Sequence, residues 1–102
     1  MAIEYDPEKN KQNIKDRGIS FDEFENLDFA TASIEVDNRK NYGEDRHIIQ
    51  AKLNGRLHIA VITIRGDDIT RVISLRKANK KEVTRYEEAL NWCTWWSQRI
   101  NY

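Results

Sequence analysis

Asn54-Gly55 stands between two runs rich in β-branched residues, Arg46 to Leu53 and Arg56 to Ile64. Both turn residues tolerate positive φ, so the pair predicts the type I′ turn of a two-residue hairpin, whose twist matches that of the flanking strands. A hairpin fixed this tightly commits the middle of the chain to an antiparallel sheet. Upstream, Ala30, Ala32, Ile34 and Val36 alternate with Thr31, Ser33, Glu35 and Asp37, the period of a strand buried on one face. Downstream, Gly66-Asp67-Asp68 turns the chain into a further strand, Ile69 to Leu75. The links between strands are short and allow only antiparallel neighbours. The longest of them, Asp37 to Asp45, is charged, carries Gly43 and reads as a mobile loop.

Helix signals bracket these strands. Asp6 can accept from free backbone amides, Pro7 suits the first helical position and Glu8 complements the positive end of the dipole, so a helix is expected from Pro7 to Asp16, closed by Gly18. Ser20 and Glu23 form a capping box with Ile19 and Phe24 at the staple positions, predicting a short helix over Phe21 to Asn26. Asn79 and Glu82 form a second box, from which a long helix can reach Ile100. The expected fold is α+β: a four-stranded antiparallel sheet flanked by two N-terminal helices and one long C-terminal helix, in the order helix, helix, four strands, helix. With 102 residues and 39% hydrophobic content the chain suits one core, hence a single domain over 1–102. Along the last helix Trp92, Trp96 and Ile100 or Arg99 recur at helical spacing while Trp95 lies to one side, with Tyr102 beyond. This is enough apolar surface for the helix 79–100 both to cap the sheet and to meet a partner chain.

Several chemistries are excluded or disfavoured. No run approaches the ~18 apolar residues of a membrane span, and the first residues lack an export signal, so a cytoplasmic protein away from membranes is expected. Cys93 stands alone, precluding an internal disulfide, and reads as a core or bystander thiol. There is no glycine-rich phosphate loop, no nucleophile elbow and no Cys or His pair at metal-ligand spacing. His47 and His58 fall on adjacent predicted strands, with no carboxylate set to orient them, and read as packing or surface residues. Neither a metal nor a cofactor is expected.

The formal net charge of zero conceals an asymmetry: residues 1–45 hold 12 acids and 6 bases, residues 46–102 hold 5 acids and 11 bases. Around the last predicted strand the bases concentrate as Arg65, Arg71, Arg76, Lys77, Lys80, Lys81 and Arg85, against Asp67, Asp68 and Glu82. Such groups answer the needs of a phosphodiester, because attack by the neighbouring 2′-hydroxyl builds negative charge on the phosphoryl oxygens that fixed guanidinium donors can stabilise without a metal. On spacing alone the simpler reading is that they solvate the sheet edge and pair with nearby acids. Arg71 and Arg76 differ by an odd number and belong on opposite faces of a regular strand. Tyr86, one turn into the last helix, can donate to a phosphate, stack on a base or pack its ring in the core.

Four motifs add a resemblance: Tyr-Asp-Pro-x-Lys-x-x-x-Asn at 5–13, Arg-Gly-Ile-Ser-Phe at 17–21, Gly-Glu-x-Arg at 43–46 and Ser-Leu-Arg-Lys-Ala at 74–78. In this order and spacing, over about residues 4–88, the chain resembles the BrnT-type toxins of type II toxin-antitoxin systems, with Arg17 where the motif usually has His. The resemblance implies the RelE-like form of that fold, a helix-flanked twisted antiparallel sheet, and metal-independent ribonuclease action that stops translation. It also implies a cognate BrnA-type ribbon-helix-helix antitoxin as partner, DNA contact only through that complex, and a homodimer or a heterotetramer as candidate assemblies. Carried over by position, it points to Lys9, Arg65, Arg76 and Tyr86 for catalysis, with Lys9 for proton transfer or phosphate contact. Glu44, Arg46, Arg71 and Lys77, with the neighbouring Lys80 and Lys81, would contact RNA. The expectation is that the bases of the last strand converge with Lys9 on one bent RNA phosphate. The alternative is a non-catalytic binding module acting with a DNA-binding partner in operon autoregulation. A DNA reader in its own right is less favoured, because no helix-turn-helix is visible and the longest helix is aromatic rather than basic.

Overall fold

The Asn54-Gly55 turn forms as expected, with positive φ at both residues, 51° and 80°, and joins strands β3 (His47–Leu53) and β4 (Arg56–Arg65) in unbroken register from Leu53↔Arg56 to His47↔Ile62. The structure is a computed structural model describing residues 2–38, 41, 43–66 and 68–100, the last ten as helical backbone. Around the hairpin lie β1 (Ala2–Glu4), α1 (Pro7–Arg17), a 3₁₀ helix (Phe21–Asn26), β2 (Asp28–Val36), β5 (Ile69–Lys77) and α2 (Lys80–Ile100). The sheet order is β1-β5-β4-β3-β2. The aromatic run Trp92, Trp95, Trp96, Ile100 and the Cys93 thiol fall where only backbone is described. Asp67 and Tyr102 lie outside the described residues, as do Arg39, Lys40 and Tyr42 of the 37–45 link.

The expected four-stranded antiparallel sheet is corrected to a five-stranded mixed one. Ala2–Glu4 adds a strand parallel to β5, pairing Ala2 with Ile69 and Glu4 with Arg71. Three residues carry no readable period, and their partner lies far along the chain, so no local signal announces them. The order therefore begins with a strand before the first helix, and the second expected helix is a tighter 3₁₀ helix. The final strand also runs two residues further than expected, to Lys77.

Local caps behave as their chemistry dictates. Asp6 accepts from the Glu8 amide, Gly18 takes a left-handed conformation at φ 70°, and Ser20 accepts from the Asp22 amide. α1 is tied down by two asparagines: Asn10 Oδ1 accepts from the Phe21 amide at 2.8 Å, and Asn13 Nδ2 donates to the carbonyls of Ile19 and Leu75 at 2.8 and 2.9 Å. The main core forms where Ile19, Phe21, Phe24 and Leu27 cover one sheet face over Ile49, Ala51, Ala60, Val72 and Leu75. This is termed the α1 face. On the opposite, α2 face, Val83 and Tyr86 of the last helix pack with Leu57, Ile59, Ile48 and Ala78.

β2 departs from its reading as a half-buried strand. Its period-two residues Ile34 and Val36 remain 61% and 55% exposed, because β2 is the outermost strand and both lie on the α1 face beyond the cover of Ile19 to Leu27. Its register slips between Asp28 and Ser33, and there Thr31 substitutes for the ladder: its Oγ1 accepts from the Lys52 amide at 3.0 Å. Burial thus predicts unequal mutational costs. Leu75→Ala, at a residue with no exposure, should lower stability by about 2–5 kcal/mol, whereas Ile34→Ala should change it by less than about 0.5 kcal/mol in urea unfolding.

Candidate functional site

One irregularity in the sheet arranges the arginines. The β4–β5 register is continuous up to Ile62↔Val72, then resumes at Val61↔Ser74, so Ile73 is an extra residue on β5. Without it Arg71 and Arg76 would face opposite ways. With it, Arg71 lies opposite Thr63 and Arg76 opposite Ile59, four residues apart on a regular strand and hence on one face, the α2 face. Arg65 shares that face by alternation with Thr63. The rows of Arg71 and Arg76 are separated by about 13 Å at ~3.3 Å per residue.

At the open end of this face the cations are linked through two carboxylates. Arg71 lies 3.3 Å and Arg65 3.6 Å from Glu4, and Arg65 also lies 3.8 Å from Glu44, which reaches Arg46 at 3.4 Å. The chain of charges joins β1, the segment after Gly43, β4 and β5. All four contacts are long and partly exposed, so their chief effect is orientation rather than stability.

At the other end Arg76 lines a groove of about 540 Å³ between the sheet and the first turns of α2, with Ser74, Gln50 and Glu35 on the floor and Glu82 and Arg85 on the helix wall. Its guanidinium meets Glu82 in a two-point pair, Nη1 donating to Oε1 at 2.7 Å and Nη2 to Oε2 at 2.8 Å. Glu82 is at the same time the capping-box partner in the first turn of α2, three residues after Asn79: the Asn79 amide donates to Oε1 and the Glu82 amide donates to Asn79 Oδ1, both at 2.9 Å. The hydrogen bonds from Arg76 hold the Glu82 carboxyl below its usual 4.5. Partial burial opposes this, while the Asn79 amide and the charges of Arg76 and Arg85 reinforce it.

The expected convergence on one phosphate is not what the fold builds. Lys9 is exposed on α1, which packs on the opposite side of the sheet from Arg76. Lys77 follows Arg76 and so points to the α1 face, opposite His58. Tyr86 is 7% exposed, its ring in the core beside Leu57 and Ile59 and its hydroxyl donated to the Thr31 carbonyl at 2.5 Å. Lys80 and Lys81 are exposed on the first turn of α2. Brought together on the α2 face are Arg65, Arg71, Arg76, Glu44 and Arg46. His47 and His58, opposite Ile62 and Ala51 respectively, stand at different heights on the hairpin rather than side by side.

Sequence reasoning does not identify which carboxylates hold the arginines: Glu44 is expected to contact RNA, and Glu4 is not singled out. Glu82 was legible as a cap, and only its distance from Arg76, spanning a strand end and a helix start, concealed the pair. Glu4 belongs to the strand without a signature. Ser74 and Gln50 on the groove floor carry no local mark.

Comparison with known proteins assigns the lineage of this arrangement. The family described as ribonuclease toxin, BrnT, of type II toxin-antitoxin system matches residues 5–82. Among solved structures the chain is similar to the ribonuclease toxin BrnT of Brucella abortus, with a TM-score of 0.64 and 28% identity, covering 78% of this chain and 99% of that one. No protein of curated function matches it.

The Arg76–Glu82 pair makes stability depend on pH in a defined direction. A carboxyl held low when folded contributes stability that is present above its unfolded value and is lost as pH falls through the folded one. Glu82→Gln should therefore be less stable than the parent at pH 7, and the difference should shrink as pH drops below about 4.5. Urea titrations at pH 7 and pH 3 measure it; a gap unchanged between them would remove the pair from the account.

Proposed function

Because the chain belongs to the BrnT family of ribonuclease toxins of type II toxin-antitoxin systems, we propose that it is a metal-independent endoribonuclease that stops translation by cutting RNA along the α2 face. A type II toxin works with a protein antitoxin. Here that partner is read as a BrnA-type ribbon-helix-helix protein that neutralises the toxin and carries it to operator DNA. No helix among the described residues is long and apolar enough to cross a membrane.

The observation that carries the reading is the alignment of Arg65, Arg71 and Arg76 on one face by the extra residue at Ile73. An RNA strand laid along that face would meet Arg71 and Arg65 at one end and Arg76 in the groove at the other. Arg76 already holds two carboxylate oxygens side by side, and a phosphodiester offers two non-bridging oxygens in much the same geometry. The phosphate would take the fork from Glu82. As the 2′-hydroxyl gives its proton to solvent and its oxygen bonds to phosphorus while the bond to the 5′-oxygen breaks, charge grows on those oxygens, and a donor already aimed at them stabilises the transition state with little reorganisation. Arg71 and Arg65 bind flanking phosphates and set the register, a task that point-to-point attraction can perform. Lys9 lies across the sheet and the Tyr86 hydroxyl is committed to Thr31, so the chemistry at this phosphate is carried by the arginines.

Purified protein should cleave single-stranded RNA in EDTA, and its expression without antitoxin should arrest growth. Arg76→Ala should lower the cleavage rate by about 10²–10³-fold, with Arg76→Lys intermediate because it keeps the charge and loses the fork. Arg71→Ala should act mainly on KM. Intact RNA in the presence of folded wild-type protein would overturn the reading.

A further inference from the structure

On the α1 face, beside the hairpin, a second cavity of about 620 Å³ opens between the sheet and the turn after α1. We propose that it binds a ribonucleoside 5′-phosphate, either free or as the 5′ end of an RNA. The site is built around His58, which is 4% exposed yet lines the cavity. Its Nδ1 lies 2.7 Å from the Arg56 carbonyl oxygen. A carbonyl can only accept, so Nδ1 carries a proton and donates to it, which leaves Nε2 as the ring's remaining polar atom. Among the described residues that nitrogen makes no hydrogen bond. That nitrogen is not among the enclosed unpartnered atoms of the described residues, so it is open to whatever enters the cavity.

The surroundings select the chemistry. Lys77 is the cross-strand partner of His58, and Arg56 precedes His58 by two residues on the same face, so two cations stand at the same mouth. Neither is ion-paired among the described residues. They fit a terminal phosphate, which carries more charge than a diester. On the facing wall is Glu23, hydrogen-bonded by the Asn26 side-chain amide at 3.3 Å and otherwise open to accept from vicinal ribose hydroxyls. The floor is apolar, from Leu53 and from Ile14, which is 46% exposed without a ligand and would be covered by a base. Cations for phosphate, a carboxylate for ribose and an aliphatic floor for a base are the three parts of a nucleotide site, within a volume usual for small ligands. The sheet separates this cavity from Arg76, so the proposal does not rest on the nuclease reading.

Titration of the full-length protein with AMP, followed by NMR of the His58 ring, tests it. AMP should bind saturably and shift the His58 signals, while adenosine and inorganic phosphate should each bind at least about tenfold more weakly. Lys77→Gln, at an exposed position that folding tolerates, should weaken AMP about tenfold. Glu23→Gln should abolish the preference for AMP over its 2′-deoxy form, and Arg76→Ala should bind AMP as the parent does. A 5′-phosphorylated oligoribonucleotide binding more tightly than its 5′-hydroxyl form supports an RNA end as the source, and equal binding of the two alongside tight AMP binding supports the free nucleotide. Shifts confined to the arginine groove, an unmoved His58, full affinity in Lys77→Gln or an acidic peptide binding as well as AMP would each overturn the proposal.

Discussion

The arrangement of this molecule turns on one surplus residue in β5. Leu75 and Val72 both belong to the core on the α1 face although they are three positions apart, and they can do so only because Ile73 bulges between their ladder pairs. The same offset sends Arg71 and Arg76 out through the other face together. Core packing and charge placement are thus two results of a single irregularity. Removing the bulge while keeping Leu75 buried would turn Arg71 toward the α1 face, and holding Arg71 in place would turn Leu75 out of the core and Arg76 onto the α1 face.

Much of the architecture was readable because its causes are local. Asn54-Gly55 fixes a hairpin through the backbone freedom of two residues, and the boxes at Ser20 and Asn79 start their helices through hydrogen bonds that span three residues. The missed features have distant causes. β1 is too short to show a period and exists only because β5 offers it an edge; the bulge reflects a compromise between two faces; β2 follows a half-buried pattern but its end at Ile34 and Val36 lies beyond the cover of the α1 face. Identical alternation in β2 and a true core strand leads to opposite burial, because burial depends on what is stacked above and not on the strand's own sequence.

The motifs shared with the BrnT family divide on the same line. In the first two, most of the side chains lock the fold: Tyr5 meets the Phe21 ring at 5.7 Å, Asp6 caps α1, Asn10 holds the Phe21 amide, and Asn13 clips α1 to β5. Exposed Lys9 stands among them without such a task. The last motif alternates in purpose residue by residue, with Leu75 in the core, Arg76 in the groove, Lys77 on the reverse face and Ala78 beneath α2. A run of five letters therefore serves two faces, which explains why the charges it carries could be counted from the sequence but not allotted to one site.

The hydroxyl of Tyr86 spans from the last helix to the outermost strand and ends on the Thr31 carbonyl, at the point where β2 slips register. It acts as a strut. The opening turns of α2 cannot swing away from the sheet without dragging the margin of the sheet along, so the groove wall and the strand across from it are braced into one frame. Breathing of the groove then has to come from side chains, above all from the swivel of Arg76 against Glu82, while the backbone walls hold their spacing.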